Sequence, residues 1–409
     1  MFRRRTLDAV FNMGPVPNGY TYVDRGKLDE RVRSALASGT HVAIHGESKH
    51  GKSWLRAQTL PDSRTARVQC VPGMDASAVL SQALGRLGVK ESVKVVIENA
   101  TETSSGGGAG LSVKAVKIEG QHSTRAEVRQ AVEQQPIGQN IADLGWVADH
   151  FREHKRTPVF EDFHNLNAEA QFAMAYIIKA MGEWRVPCVV IGIWTDTHLL
   201  KLYNGELDGR IEDVRVQWTF DELRDVVRRG SRALNISLPD SICDQMVRDA
   251  YTSVGLLQEL AKATLAAAGI RRRSLRTRVV DDATCLTSGR AAVVEQVTSR
   301  FEPFIQHFAN AAIAGVRGGA YAALLRSVTD RLSERQLLAG VGVSELRNEM
   351  LLDDPALAIE DVESALGNLE DAQRAVGIRP AVLAYDAARQ RLVLADRRLL
   401  LYLRERTRA

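Results

Sequence analysis

The chain has 409 residues, 45% of them hydrophobic, with 54 Lys and Arg against 50 Asp and Glu for a formal net charge of +4. That length can bury substantial cores and suggests two or three domains, while the mild charge permits contact with nucleic acid without requiring it. No run of about 18 apolar residues occurs, which argues against a membrane-spanning helix. The start, Met1-Phe2-Arg3-Arg4-Arg5, leads into Asp8 and Asn12 instead of an apolar core and makes a poor signal peptide. Cys70, Cys188, Cys243 and Cys285 are far apart and form neither a zinc spacing nor a disulfide framework, so a reducing cytoplasm fits best.

In chain order, Tyr20-Thr21-Tyr22-Val23-Asp24-Arg25 precedes an amphipathic helix from Leu28 to Leu36, and His41-Val42-Ala43-Ile44-His45 reads as a buried strand. Gly46-Glu47-Ser48-Lys49-His50-Gly51-Lys52-Ser53 follows, an intact G-x-x-x-x-G-K-[ST] phosphate-binding loop, and Trp54 continues into a helix. The strand–loop–helix context separates a phosphate loop from a glycine-rich connection. Gly46 and Gly51 let the backbone curl so that successive N–H groups face an anion at the positive end of the next helix. Lys52 is expected to reach the β- and γ-phosphates and Ser53 to take a place on Mg²⁺. The loop predicts nucleoside triphosphate binding.

Ala66–Cys70 reads as a second strand and Ala76–Leu87 as a helix. Residues 91–136 hold two β-prone runs around Ser104-Ser105-Gly106-Gly107-Gly108-Ala109-Gly110, which predicts a hairpin-like insertion. It is either a surface insertion or a projecting element that meets a partner. Helices are expected over 139–154 and 168–182, with strands over 158–162, 187–194 and 214–218. Strands alternating with helices indicate a parallel, doubly wound sheet, with ligands at the carboxyl ends of the strands. Residues 220–269 read as helical, and Arg271-Arg272-Arg273-Ser274-Leu275-Arg276-Thr277-Arg278 marks a basic boundary.

Near the end, Ala320–Leu332, Ser344–Leu351 and Ile359–Val376 read as three helices, followed by strands at 381–385 and 391–394 and a closing helix over 397–404. That order suggests a winged helix. Its last core helix carries Glu360, Asp361, Glu363, Glu370 and Asp371 against Arg374, a face that phosphates would repel. Either the basic hairpin and tail (Arg379, Arg389, Arg391, Arg397, Arg398) contact DNA, or the module binds protein; the acidic face favours protein.

Val159-Phe160-Glu161-Asp162 delivers two acids from an apolar strand, which is costly unless something cationic meets them. Mg²⁺ on phosphates is the expected partner, with Glu161 near the metal through water and Asp162 polarising the attacking water. The histidines show no metal-ligand spacing such as H-E-x-x-H, and Glu153, His154 and His164 are expected to be surface or supporting groups.

The order Tyr22-Val23-Asp24-Arg25, phosphate loop, acidic strand with His164, then a strand ending in Trp194-Thr195 resembles the AAA+/STAND class of P-loop ATPases. It is most similar to the branch of origin-recognition-like and transposition-regulator ATPases. The resemblance covers roughly residues 18–265. It implies an α/β fold: a P-loop NTPase parallel sheet (1–219, with the 91–136 insertion), a helical lid (220–290), and a helical linker with a C-terminal winged-helix domain (291–409). By the same resemblance Val23 and Arg25 lie near the adenine, Thr195 is the polar sensor, and Arg210 stands where such proteins often place an arginine finger for a neighbouring subunit. Two departures bear on rate: the acids read Glu-Asp, and Ser253–Gln258 lacks a second-sensor arginine. They imply a slow, switch-like ATPase; the resemblance implies ATP and Mg²⁺ as cofactors, homo-oligomers, and a setting in bacterial defence or mobile-element biology. A DNA-binding regulator of transposition or replication type and a scaffold that binds ATP without hydrolysing it are the alternatives.

Overall fold

The computed structural model describes residues 5–14, 16–90, 140–194, 198–379, 381–387 and 389–407. The expected hairpin of 91–136 lies outside them. The first half is built from α1 (Leu7–Val10), α2 (Leu28–Ala37), β1 (His41–His45), α3 (Lys52–Thr59), β2 (Thr65–Gln69), α4 (Ala76–Gly85), α5 (Leu144–Glu153), β3 (Thr157–Glu161), α6 (Ala168–Glu183), β4 (Val189–Gly192), α7 (Leu199–Tyr203) and β5 (Ile211–Arg215). The five strands make one parallel sheet in the order β2-β3-β4-β1-β5. Alternation along β1 sorts its two faces. Val42 and Ile44 join Val32 of α2 and Leu55 of α3 in one core, whereas Ala43 joins Val79 of α4, Phe151 of α5 and Ile178 of α6 in the other. With both faces covered, every residue of β1 is buried.

Several boundaries differ from the sequence expectation, each for a local reason. α5 begins at Leu144 rather than near 139 because the Asp143 side chain accepts from the N–H groups of Gly145 and Trp146 and caps the helix. β5 spans 211–215 rather than 214–218 because its register with His41–His45 ends there, and the Trp218 indole leaves the sheet to donate to the His50 carbonyl at 2.9 Å.

The second half is helical: α8 (Phe220–Leu234), β6 (Ile236–Ser237), α9 (Asp240–Asp249), α10 (Val254–Ala267), β7 (Arg278–Val279) and α11 (Thr284–His307), with β6 and β7 paired. Next come α12 (Ala320–Arg326), α13 (Glu334–Ala339), β8 (Val341–Gly342), α14 (Val343–Met350), α15 (Ile359–Gly367), α16 (Leu369–Ala375), β9 (Leu383–Asp386), β10 (Arg391–Leu394) and α17 (Arg398–Arg406). The helix expected over 359–376 is two helices that break at Asn368. The hairpin β9–β10 gains a third strand, β8, a two-residue piece that exists only through its pairing with Arg391 and Leu392. The boundary expected at 290 falls inside α11, whose Val293, Val297 and Phe301 join Leu257 and Leu260 of α10 and Leu399 of α17 in one continuous core.

The buried His41 imidazole has a testable consequence. Its Nδ1 accepts from the Cys188 N–H at 3.0 Å, and burial pushes its pKa down to about 4. The folded ring stays neutral where an unfolded one takes a proton, so its stabilisation is complete above an unfolded pKa of about 6.5 and is lost as pH falls toward 4. Urea unfolding across that range should show this loss, up to about 1.4 kcal/mol per pH unit from this group, and His41→Asn should reduce the slope by that share, with the buried His50 contributing its own.

Candidate nucleotide site

The loop that leaves β1 is forced into its curve by backbone sterics. Gly46 has φ 137°, and a Cβ there would lie 2.7 Å from the Val216 carbonyl oxygen beyond β5. Lys49 and Gly51 are left-handed at φ 59° and 83°, and α3 opens at Lys52 directly after them. The Lys52 ammonium is buried and donates to the carbonyls of Gly46 at 3.1 Å and Glu47 at 2.5 Å. Burial lowers its pKa to about 8, against the pull of Asp162 and Glu47. A cation held only by carbonyls of its own loop can exchange them for phosphate oxygens, so the residues present fit a nucleotide phosphate.

The loop faces a cleft of about 450 Å³ lined by Tyr22, Val23 and Arg25, by Ser48 through Trp54, by Glu161 and Asp162, and by Val254, Gly255 and Gln258 of α10. Arg25 is buried; its Nη1 donates to the His50 carbonyl at 3.0 Å and its guanidinium lies 4.4 Å over the Trp218 ring. Burial lowers the Arg25 pKa and pushes that of His50 down to about 3, which leaves the imidazole neutral beside the loop. The Trp54 indole donates to the Gly14 carbonyl at 2.6 Å and ties α3 to the N-terminal segment.

The two acids take different surroundings. Glu161 is buried at the end of β3 and paired with the fully buried Arg56 of α3 at 3.2 Å, and with Arg67 at 3.8 Å. Arg56, one turn beyond Lys52, thus meets its charge directly. Asp162 is left-handed at φ 53° and accepts from the Gln69 amide. Sequence reasoning missed Gln69, although it is the residue of β2 that stands in register with Glu161. His164 Nδ1 accepts from the Ile193 N–H at 3.2 Å and links the ends of β3 and β4, a supporting role.

No protein-family model matches the sequence, and no curated protein matches it. Among solved structures the chain is similar to the Walker-type ATPase PABY2304 of Pyrococcus abyssi, at 12% identity over 97% of this chain and 99% of that one, with a TM-score of 0.53. The fold is that of a Walker-type ATPase. Cdc6p from Pyrobaculum aerophilum (12% identity, 98% of each chain, TM-score 0.42) and the Aeropyrum pernix ORC1 protein in complex with DNA (12%, 98% and 96%, 0.43) match less well.

On this Walker-type scaffold the structure brings Lys52, Ser53, Glu161 and Asp162 together with Val23 and Arg25 around one cleft. Thr195 lies outside the described residues. Arg210 is elsewhere: its carbonyl accepts from the His41 N–H at the start of β1, the end of the sheet away from the loop, and its guanidinium pairs with Glu183 at 2.5 Å. A further correction concerns metals. His150, Glu153 and His154 share the last turn of α5, with one donor atom from each within 4.8 Å of the others, a spacing the sequence reading overlooked. They do not line the cleft.

The residues least visible in sequence come from the far end of the chain. Arg397, placed among the DNA-contacting candidates, instead ion-pairs with Glu47 inside the phosphate loop and donates to the Tyr251 carbonyl and the Thr252 hydroxyl. Arg398 pairs with Asp396 at 2.6 Å and Glu259 at 3.7 Å, and Glu259 also meets Lys49 of the loop at 3.4 Å. The Gly255 N–H donates to the Lys49 carbonyl at 3.1 Å, and a Cβ at Gly255 would lie 2.8 Å from that of Lys49. The α10 end that lacks a second-sensor arginine therefore packs its backbone against the loop.

The lowered Lys52 pKa predicts a pH dependence of nucleotide binding. Phosphates select the protonated amine, so above about pH 8 binding must recruit a proton. A fluorescent ATP analogue titrated from about pH 7 to 9.5 should lose close to tenfold in affinity per unit above 8, and Lys52→Arg should remove that slope.

Proposed function

We propose that this protein is an ATP-binding and ATP-hydrolysing molecular switch of the AAA+/STAND class. In this reading residues 1–219 form the ATPase domain, 220–290 a lid, and 291–409 a linker and winged helix. The pairing of Arg397 with Glu47 carries the reading, because it joins the C-terminal helical unit to the loop that meets phosphate. Lys52 would release the Gly46 and Glu47 carbonyls and bind the β- and γ-phosphates. Ser53 would ligate Mg²⁺, with Glu161 reaching it only through water, while bound Mg²⁺ supplies charge neutralisation of the phosphates. Asp162, held by Gln69, would accept a proton from the attacking water. Any change of the loop around phosphate alters the Glu47 carboxylate that holds Arg397, which gives the two states the differential contact a switch requires. Release of the C-terminal unit would then favour homo-oligomers, with Arg210 offered to a neighbouring subunit and Thr195 acting as sensor.

DNA contact through the tail arginines is disfavoured, since Arg397 and Arg398 are turned inward. A protein partner on the winged helix or on residues 91–136 fits this reading better, and a regulated complex such as one in bacterial defence is its setting.

Lys52→Ala should abolish ATP binding. Asp162→Asn should retain binding and lose about 10²-fold or more in turnover, and normal turnover would remove the assignment of Asp162 as base. Arg397→Ala should accelerate nucleotide release at least about tenfold, roughly the effect of 1.4 kcal/mol, and increase particle mass with ATP. Unchanged release and mass would rule out the latch.

A further inference from the structure

We propose that an arginine ribbon, formed where the N-terminal segment bridges to the irregular segment 271–278 after α10, is a docking surface for the phosphate backbone of a nucleic-acid duplex. The surface joins Arg5 to a basic run far away in the sequence. The Leu7 N–H donates to the Arg271 carbonyl at 3.0 Å and the Arg273 N–H to the Arg5 carbonyl at 2.8 Å, with Thr6 and Arg272 as the antiparallel bridge. Arg5, Arg271, Arg272, Arg273, Arg276 and Arg278 are all exposed. None has a carboxylate partner among the described residues, and residues 270–280 contain no acid. Asp8, the nearest acid to Arg5 in the chain, is paired with Lys262 at 2.6 Å.

The ribbon is preorganised. Leu7 and Ile270 bury its first end in the helical core, and the Ser274 and Arg278 N–H groups donate to the Leu234 and Asn235 carbonyls at 2.9 and 3.2 Å. A rigid basic surface orders little on binding. Arg271 and Arg278 also donate to the Ala266 and Ala268 carbonyls at the end of α10, an intramolecular role that uses only part of each guanidinium. Arg272, Arg273 and Arg276 have no such engagement among the described residues.

Five guanidinium groups over 271–278 with Arg5 beside them, none paired with a carboxylate among the described residues, call for an anion with repeated charge, and guanidinium forks match phosphate oxygens. Single strands need open aromatic faces to stack on; the nearby Tyr20 ring is covered by Arg5 at 4.9 Å, which favours a duplex. Anionic membranes are normally met by an amphipathic helix, whereas residues 271–279 are not helical and offer two outward apolar side chains, the fully exposed Leu275 and the exposed Val279.

The test uses the full chain and a labelled mixed-sequence DNA duplex of about 20 base pairs, with anisotropy read over about 50 to 400 mM salt. The parent should bind with a log–log salt slope of about −4 to −5, and R272Q/R273Q/R276Q should lower that magnitude by about 2.7 and weaken binding on the order of 10²-fold at about 100 mM. Retained ATP-analogue binding by the triple variant would show that it is folded. An RNA duplex bound comparably supports backbone recognition, as does unchanged binding by R389Q/R391Q on the β9–β10 hairpin. The proposal is overturned if the parent ignores duplexes at the lowest salt, if the folded triple variant binds like the parent, or if phosphatidylserine vesicles bind through these arginines and duplexes do not.

Discussion

The curve of residues 46–51 persists because three separate elements press on it. The carbonyl of Val216 leaves room only for a glycine at 46, Arg25 and Trp218 both donate to the carbonyl of His50, and the backbone of Gly255 closes on Lys49. A loop with Lys49 left-handed and a buried ammonium would otherwise relax, since that conformation costs a non-glycine residue free energy on its own. The cleft, the placement of the acids and the approach of the helical half all depend on that restrained backbone.

Charge pairing extends the constraint across the molecule. Glu47 reaches Arg397, Lys49 reaches Glu259, and Glu259 reaches Arg398, whose partner Asp396 also holds Arg300 of α11. Asp396 is kept ionised, its pKa held down to about 2 by Arg398 and Arg300 against the opposing effect of burial. Because these groups are partly or largely buried, breaking one pair leaves an uncompensated charge, so the network favours discrete arrangements over gradual ones. The continuous apolar core around α11 would let displacement at α17 reach α10 and the loop together.

The arginines of the chain divide by their surroundings. Arg25, Arg56 and Arg290 are buried and held by a carbonyl, Glu161 and Asp249 respectively, where they organise the interior. Those of the ribbon at Arg5 and 271–278 stay in water with no carboxylate partner among the described residues. The run at 271–278 is plain in the sequence, and one short β-bridge between segments more than 260 residues apart in the chain adds Arg5 to it.

The sequence by itself determined what local chemistry dictates. The phosphate loop, the buried runs of β1 and β4, the alternation that calls for a parallel sheet, and the acidic end of β3 are short-range signals read from a few adjacent residues. Caps and breaks were less legible, because the Asp143 cap and the Asn368 break turn on side-chain and backbone detail that periodicity does not encode. Only tertiary structure decided which charges meet. Arg56 partners Glu161, Gln69 holds Asp162, and Arg397 turns into the phosphate loop instead of toward DNA. The physical reason is that a charge's partner depends on distance and burial in the folded chain, and neither is a property of its neighbours in sequence.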